Sequence, residues 1–234
     1  MVRRYPMRPH DWASFAAIAG FALLIDAVVR GSAPWAIVWA VGTVVAGAAA
    51  RHWSRKYPAP MPSAIRWVLH LSPHAPRLLL RILQPKSGEH VLEIGPGIGH
   101  HALAVAPLLL PGGTLDVLDL QQEMLDAVAR RAAAAGVTNV VPRLGSAHEL
   151  PYADATFDGA YLSAVLGEIP DQPRALRELR RVLKPNGRLV IAEVLLDPDF
   201  VSLATLRDET ARAGFGFETK AGSAFAYLAR FRPA

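Results

Sequence analysis

The sequence contains no cysteine in 234 residues. Disulfide frameworks, thiolate metal sites and cysteine nucleophiles are therefore excluded. Charge is also sparse. Asp, Glu, Lys and Arg make up 19% of the chain, against 52% hydrophobic residues and a mean hydropathy of +0.22. Disordered chains have the opposite balance, so a folded core is expected. The length allows one ordinary domain plus an appendage. Beyond alanine richness there is no internal repeat or low-complexity tract.

A formal net charge of +5 would suggest a nucleic-acid partner if it were spread over the chain. Residues 1–60 hold seven basic residues (Arg3, Arg4, Arg8, Arg30, Arg51, Arg55, Lys56) against Asp11 and Asp26. The remainder holds 18 of each sign and is formally neutral. A neutral globular part has no electrostatic footprint for DNA or RNA, and no nucleic-acid partner is expected.

The basic excess brackets two apolar runs, residues 12–29 with the single charge Asp26 and residues 33–50 with none. Each would form about 27 Å of helix, close to the roughly 30 Å hydrocarbon core of a bilayer. Arg30-Gly31-Ser32 between them permits only a tight turn. Trp12, Trp35, Trp39 and Trp53 fall in this region. Gly42, Ala46 and Ala50 form one small-residue line and Ala16 with Gly20 a second, and such lines would let two helices approach. The reading is a membrane hairpin over residues 1–56, with helices at about 12–30 and 33–50. The positive-inside rule then makes both flanks cytoplasmic and the chain a two-helix cell-membrane protein. A signal peptide accounts for the first run but not the second. A buried helical hairpin in a soluble core is the stronger rival.

Residues 57–74 read as a proline-rich linker with a short interfacial helix at 64–71, capped by Ser63. From residue 75 onward, strand and helix patterns alternate. Strands are expected at 91–94, 114–118, 139–144, 157–162 and 188–195, followed by two C-terminal candidates near 215–220 and 225–231. Helices are expected at 76–83, 102–110, 121–135, 173–183 and 202–213. This pattern implies a doubly wound, mainly parallel sheet of seven strands.

Such sheets bind ligands at the carboxyl ends of their strands. After the first strand comes Glu93-Ile94-Gly95-Pro96-Gly97-Ile98-Gly99-His100-His101. Alternate glycines let the backbone turn sharply and come close to a ligand. Asp119, at the end of the second strand, can accept both hydroxyl hydrogens of a ribose. These residues alone leave three readings open: a purely structural glycine turn, the looser dinucleotide fingerprint, and another adenosine ligand. Glu93 would repel a pyrophosphate and welcome an amino group.

Further segments bring in a family. Residues 91–99 resemble the glycine-rich first motif of class I S-adenosylmethionine-dependent methyltransferases, in particular their quinone-biosynthesis-like branch. Residues 118–125 resemble the acidic second motif, 145–158 the adenine loop and fourth strand, and 179–190 the helix-to-fifth-strand turn. The resemblance implies that Gly95, Gly97 and Gly99 line the methionine moiety of S-adenosylmethionine, with Glu93 near its amino end. It implies that Asp119 holds the ribose and Leu120 flanks the adenine. Ser146 and Ala147 meet the adenine amino group, and Ser163 lies beneath the sulfonium. Position 146 is usually aspartate in this branch, so serine there is a departure.

Methyl transfer from a sulfonium needs mainly positioning, with a base only for an acceptor that must lose a proton. His101 and Glu168 are candidates for that base, and His100, His148 and Tyr161 lie near the expected pocket. The histidines could equally cap the following helix. No metal-ligand spacing is present, so no metal is expected. The expectation is a methyltransferase domain at 75–234, tethered by the hairpin and acting on a lipophilic acceptor such as a quinone precursor, isoprenoid or phospholipid head group. The alternatives are an NAD(P)-dependent oxidoreductase and a non-catalytic membrane protein with a methyltransferase-like fold.

Overall fold

The computed structural model describes residues 33–56 and 76–234 apart from 196 and 198, together with Ala16, Ala19, Gly20 and Leu23. Most of the first apolar run lies outside the described residues, as do the linker and the expected interfacial helix. The chain divides into two compact units, Met1–Ala59 and Pro60–Ala234.

In the first unit, helix α1 spans Ala33–Lys56. Trp35, Ile37, Val38, Val41, Val44 and Val45 lie exposed along it. The four described residues of the first run are helical, and Gly20 is buried. A Cβ added at Gly20 would sit 2.7 Å from Thr43 Oγ1, and that hydroxyl donates to Trp39 O at 2.7 Å. The two runs thus meet through Gly20 and Thr43. Gly20 belongs to the second of the two expected small-residue lines; no described atom lies within 4 Å of a Cβ added at Gly42.

Among the described residues no helix is long and apolar enough to cross a membrane. Helix α1 joins an apolar stretch of about 27 Å to final turns that carry Arg51, Arg55 and Lys56.

The second unit begins with helix α2, Pro76–Leu83, which buries Leu79, Ile82 and Leu83. Seven strands follow: β1 His90–Ile94, β2 Thr114–Asp119, β3 Val140–Leu144, β4 Phe157–Ser163, β5 Leu183–Val194, β6 Phe215–Gly222 and β7 Ala226–Pro233. Their order across the sheet is β3-β2-β1-β4-β5-β7-β6. Strands β1 to β5 pair parallel, and β7 runs antiparallel between β5 and β6.

Helices α3 Ala102–Val105, α4 Gln122–Ala134, α5 Gln172–Val182 and α6 Leu203–Arg212 connect them. Each has local causes. In α5, Ala175, Leu176, Leu179 and Val182 form one buried stripe, and the Asp171 carboxylate accepts from Arg174 N at 3.0 Å as N-cap. In α6, the Ser202 hydroxyl accepts from Thr205 N at 3.2 Å. The helix expected at 102–110 is instead a single α-turn continued as a 3-10 turn, Ala106–Leu109, because Pro107 has no N–H for the α-helical ladder.

Two apolar layers sandwich the sheet. One holds Leu79, Leu83, Val91, Val105, Val117, Leu125 and Val128, and the other Leu92, Leu118, Leu162, Leu176, Leu189 and Phe231. Each fully buried aliphatic or aromatic side chain contributes about 1.5–3 kcal/mol. Two buried arginines secure α2 to the sheet. Arg188 forms a bidentate pair with Glu89 and donates to the carbonyls of Leu83, Gln84 and Asp158, while Arg230 Nη1 donates to Ile82 O at 2.9 Å. Carbonyls at a helix end have no intrahelical partner, and these guanidinium groups supply one.

Candidate functional site

Strand order reverses between β1 and β4, whose neighbours on either side are β2 and β5. The crevice at the carboxyl ends of β1 and β4 is the ligand position of a doubly wound sheet. The glycine loop, the end of β2 and the segment after β4 all reach it.

The loop leaves β1 through Gly95 (φ +67°), Gly97 (φ +54°) and Gly99 (φ +80°). These left-handed values favour glycine. Gly95 N donates to Leu118 O at 2.9 Å, and Gly99 N to Pro96 O at 2.8 Å. From α4, Arg131 Nη1 donates to Ile98 O at 2.7 Å and holds the loop's apex. Sequence reasoning missed Arg131, since nothing local marks which arginine of a helix folds back over a loop.

His101 occupies the N-cap position of α3 but makes no side-chain capping bond. Its ring packs edge-on to that of His100 at 5.4 Å. The helix following the glycine loop is only one turn long. It therefore offers little of the helix N-terminus that a pyrophosphate uses.

Glu93 is 2% exposed in the middle of this apolar layer. Burial pushes its carboxyl up to about 8; the nearby Asp119 charge acts in the same direction and a hydrogen bond from Tyr161 opposes both. Asp119 closes β2, its Oδ1 accepting from Gln121 N at 2.9 Å. Desolvation raises it to about 6 against that bond and another from Leu120 N. Leu120 beside it is 59% exposed, an apolar side chain without cover at the mouth of the crevice.

The third wall is the turn after β3. Gly145 N donates to Asp119 O at 3.0 Å, which ties this turn to the ribose-side carboxylate. Ser146 Oγ accepts from His148 N at 3.2 Å, and Ala147 is buried. His148 Nε2 accepts from Asp171 N at 3.3 Å, so this histidine links the turn to α5. Ser163, half-buried, ends β4. Ala164 follows at φ +54°, unusual for a residue with a side chain, and its N donates to Ala192 O at 2.8 Å.

The structure removes Tyr161 from the proton-transfer candidates. It is completely buried within the sheet and donates its hydroxyl to Glu93. Glu168 lies on a 3-10 turn, Leu166–Glu168. Burial raises its pKa well above the usual carboxylate value, and Asp197, Asp199, Asp119 and Glu193 push it further. Gly167 fits so closely under the Asp199 carbonyl that a Cβ would collide with it. Glu193 on β5 is 1% exposed, and burial raises it to about 8. The sequence did not single out Glu193, because a lone acid in an apolar strand run has no local sign of its neighbours. Among the described residues, no three His, Cys, Asp or Glu side chains are grouped to hold a metal ion.

The cradle of positive-φ glycines, the acceptor-only carboxylate at the end of β2 and the uncovered leucine beside it suit an adenosine ligand with an amino acid tail. Residues 92–191 match a family model described as a methyltransferase domain. A demethylmenaquinone methyltransferase of Symbiobacterium thermophilum is 35% identical over 109 residues, 46% of this chain and 43% of that protein. The chain thus spans less than half the length of that relative. A SAM-dependent methyltransferase from Aquifex aeolicus superposes with a TM-score of 0.67 at 20% identity, covering 74% of this chain and 99% of that one. The [4+2]-cyclase SpnF superposes at 0.57 with 25% identity, covering 63% and 58%. The fold is that of the S-adenosylmethionine-dependent methyltransferases.

Proposed function

We propose that this chain is an S-adenosylmethionine-dependent methyltransferase, held at a membrane by its N-terminal unit and acting on a lipophilic acceptor. The observation that carries the catalytic part is the joined pair of features at the crevice: three left-handed glycines at alternate positions, the first of which, Gly95, is hydrogen-bonded to the strand that ends in Asp119. Bound there, S-adenosylmethionine supplies a methyl group already activated for displacement. Asp119 accepts the ribose hydroxyls and Leu120 covers one face of the adenine. Ser146 and Ala147 meet the adenine edge. Gly95, Gly97 and Gly99 give the methionine moiety room, with Glu93 toward its ammonium. Ser163 lies under the reacting sulfur.

For an acceptor that must lose a proton, Glu168 and His101 are the two candidates. Glu168 can accept it only in its ionised form, which burial and the neighbouring carboxylates disfavour. The name of the Symbiobacterium relative supports a quinone precursor as acceptor.

The membrane part rests on the uncovered apolar side chains of α1, the Gly20–Thr43 contact and the basic residues flanking both runs. A helix a few ångströms short of the hydrocarbon thickness is accommodated by local thinning and by basic side chains that reach to the interface. The catalytic unit and the N-terminus are then cytoplasmic.

The dinucleotide alternative is disfavoured by the antiparallel β7 inserted between β5 and β6, which departs from the all-parallel dinucleotide order. A reading without methyl transfer is kept in view by the cyclase that shares the fold. Calorimetric titration with S-adenosylmethionine tests the donor, with Asp119→Ala expected to weaken binding at least tenfold. No binding by the wild type would sink the proposal. Labelled methyl appearing in the lipid extract of membranes supplied with enzyme and labelled donor separates transfer from the other chemistry. Recovery of the full chain in an alkaline carbonate wash would overturn the anchor.

A further inference from the structure

Glu93 and Tyr161 face each other on adjacent parallel strands, so their side chains leave the sheet on the same side. Tyr161 Oη donates to Glu93 Oε2 at 2.8 Å. Tyr161 is fully buried and Glu93 is 2% exposed, within a layer otherwise built of Val91, Val105, Val117, Leu125, Val128 and Val190. Burying such a pair is costly, and two apolar side chains of similar size would serve the core as well. The pair stands two residues before Gly95, at the switch point of the sheet. Among the described residues, Tyr161 is the hydrogen-bond partner of this carboxyl, and it occupies one oxygen.

We propose that Tyr161 is a positioning residue for capture of the methyl donor: it pins one oxygen of Glu93 and leaves the other for the ligand's α-ammonium group. The inference rests on the donor reading above. The carboxyl must be ionised to meet a cation, and the Tyr161 hydroxyl favours the ionised form. Asp119 on β2 and burial oppose it. The helices packed on this layer present apolar side chains, among them Ala102, Val105, Leu125 and Val128.

The test is equilibrium binding of S-adenosylmethionine to the full chain between pH 6 and 9, for wild type, Tyr161→Phe and Glu93→Gln. Loss of the hydroxyl makes Glu93 easier to protonate, so Tyr161→Phe should bind about tenfold more weakly than wild type near pH 7.5, and that ratio should close as pH rises. The ligand's own α-amino titration is common to every variant and cancels in the ratio. A displacement of about one pKa unit changes the ionised fraction tenfold. Glu93→Gln should bind weakly and lose the limb that Glu93 contributes, keeping those of Asp119 near pH 6 and of the ligand's amino group. A purely structural tyrosine would weaken binding equally at every pH, and that result overturns the inference. If Tyr161→Phe does not fold, a wild-type-to-Glu93→Gln affinity ratio that stays flat between pH 6 and 9 overturns it instead. Wild type that fails to bind at all removes the donor reading, and the inference with it.

Discussion

Val165 seals the back of the glycine loop: a Cβ added to Gly95 would lie 2.6 Å from Val165 Cγ2. The turn after β1 and the turn after β4 are thus in contact at the switch point. Gly95 also sits at φ +67°, so space and backbone conformation make the same demand.

Gly95→Ala should therefore lose on both counts. The left-handed conformation costs about 1–2 kcal/mol for a residue with a Cβ, before any shift of Val165. A fall in Tm of about 3–8 °C and at least a tenfold loss of donor affinity are expected. Adding Val165→Ala should restore the packing part and leave the conformational part. Full recovery in the double variant would show that space alone mattered. Thermal melts with and without donor provide the readout.

Arg131 reaches from α4 to Ile98 O at 2.7 Å. Arg131→Met removes that bond while keeping most of the side chain's bulk. A stability loss of about 1 kcal/mol is expected. Donor affinity should fall several-fold, because the loop's apex loses this tie to α4. Unchanged affinity by calorimetry would mean that the glycine loop holds its shape alone.

Glu193 gives a pH signature. Burial raises its pKa to about 8 from an ordinary 4.5, with Asp197 and Asp199 acting in the same direction. The folded state therefore favours the protonated carboxyl. Its contribution to stability is fully present below about pH 4.5 and is lost as pH rises through about 8. Glu193→Gln keeps the shape and cannot ionise. Its Tm relative to wild type should climb from pH 5 to about pH 8 in a calorimetric series and level off above that. A flat difference would show that the native carboxyl ionises without penalty.

Arg188 is the corresponding test of the fold away from the site. Its guanidinium is paired with Glu89 at 2.5 Å, with both side chains largely buried. Arg188→Met strands that carboxylate together with the carbonyls at the end of α2, at a cost of roughly 3–5 kcal/mol. Glu89→Leu added to it should recover part of the loss, since the buried charge is then gone. Urea denaturation measures both. A single-variant loss under about 1 kcal/mol would mean that water reaches Glu89 once the arginine is removed.

Much of the fold was legible because its causes are local. Val91, Leu92 and Ile94 form a short apolar run closed by glycines, and the buried stripe of α5 repeats at helical spacing. Where several residues share one element the pattern suffices. It failed at β5, which begins at Leu183 rather than after Gly187. Lys184-Pro185-Asn186-Gly187 has the composition of a turn, yet Leu183 pairs with Phe157, and a register shift between Phe157 and Gly159 absorbs the irregular residues. Strand pairing across 26 positions decides that, and no local window contains it.

The site divides along the same line. Glycine spacing and an acid at a strand end are properties of short segments, so Gly95, Gly97, Gly99 and Asp119 could be picked out from the chain alone. The apolar runs of the first 56 residues, and the basic residues around them, were equally plain. Only the folded sheet could decide what the interior polar groups do. Tyr161 reads as a possible base until β4 comes to lie beside β1 and gives its hydroxyl to Glu93. His148 becomes a link to α5, and Glu193 and Glu168 become neighbours through the same folding. A segment's sequence determines its own conformation and which face it buries. The charge state and partner of a buried polar group depend on residues dozens of positions away, which only the tertiary structure brings within hydrogen-bond reach.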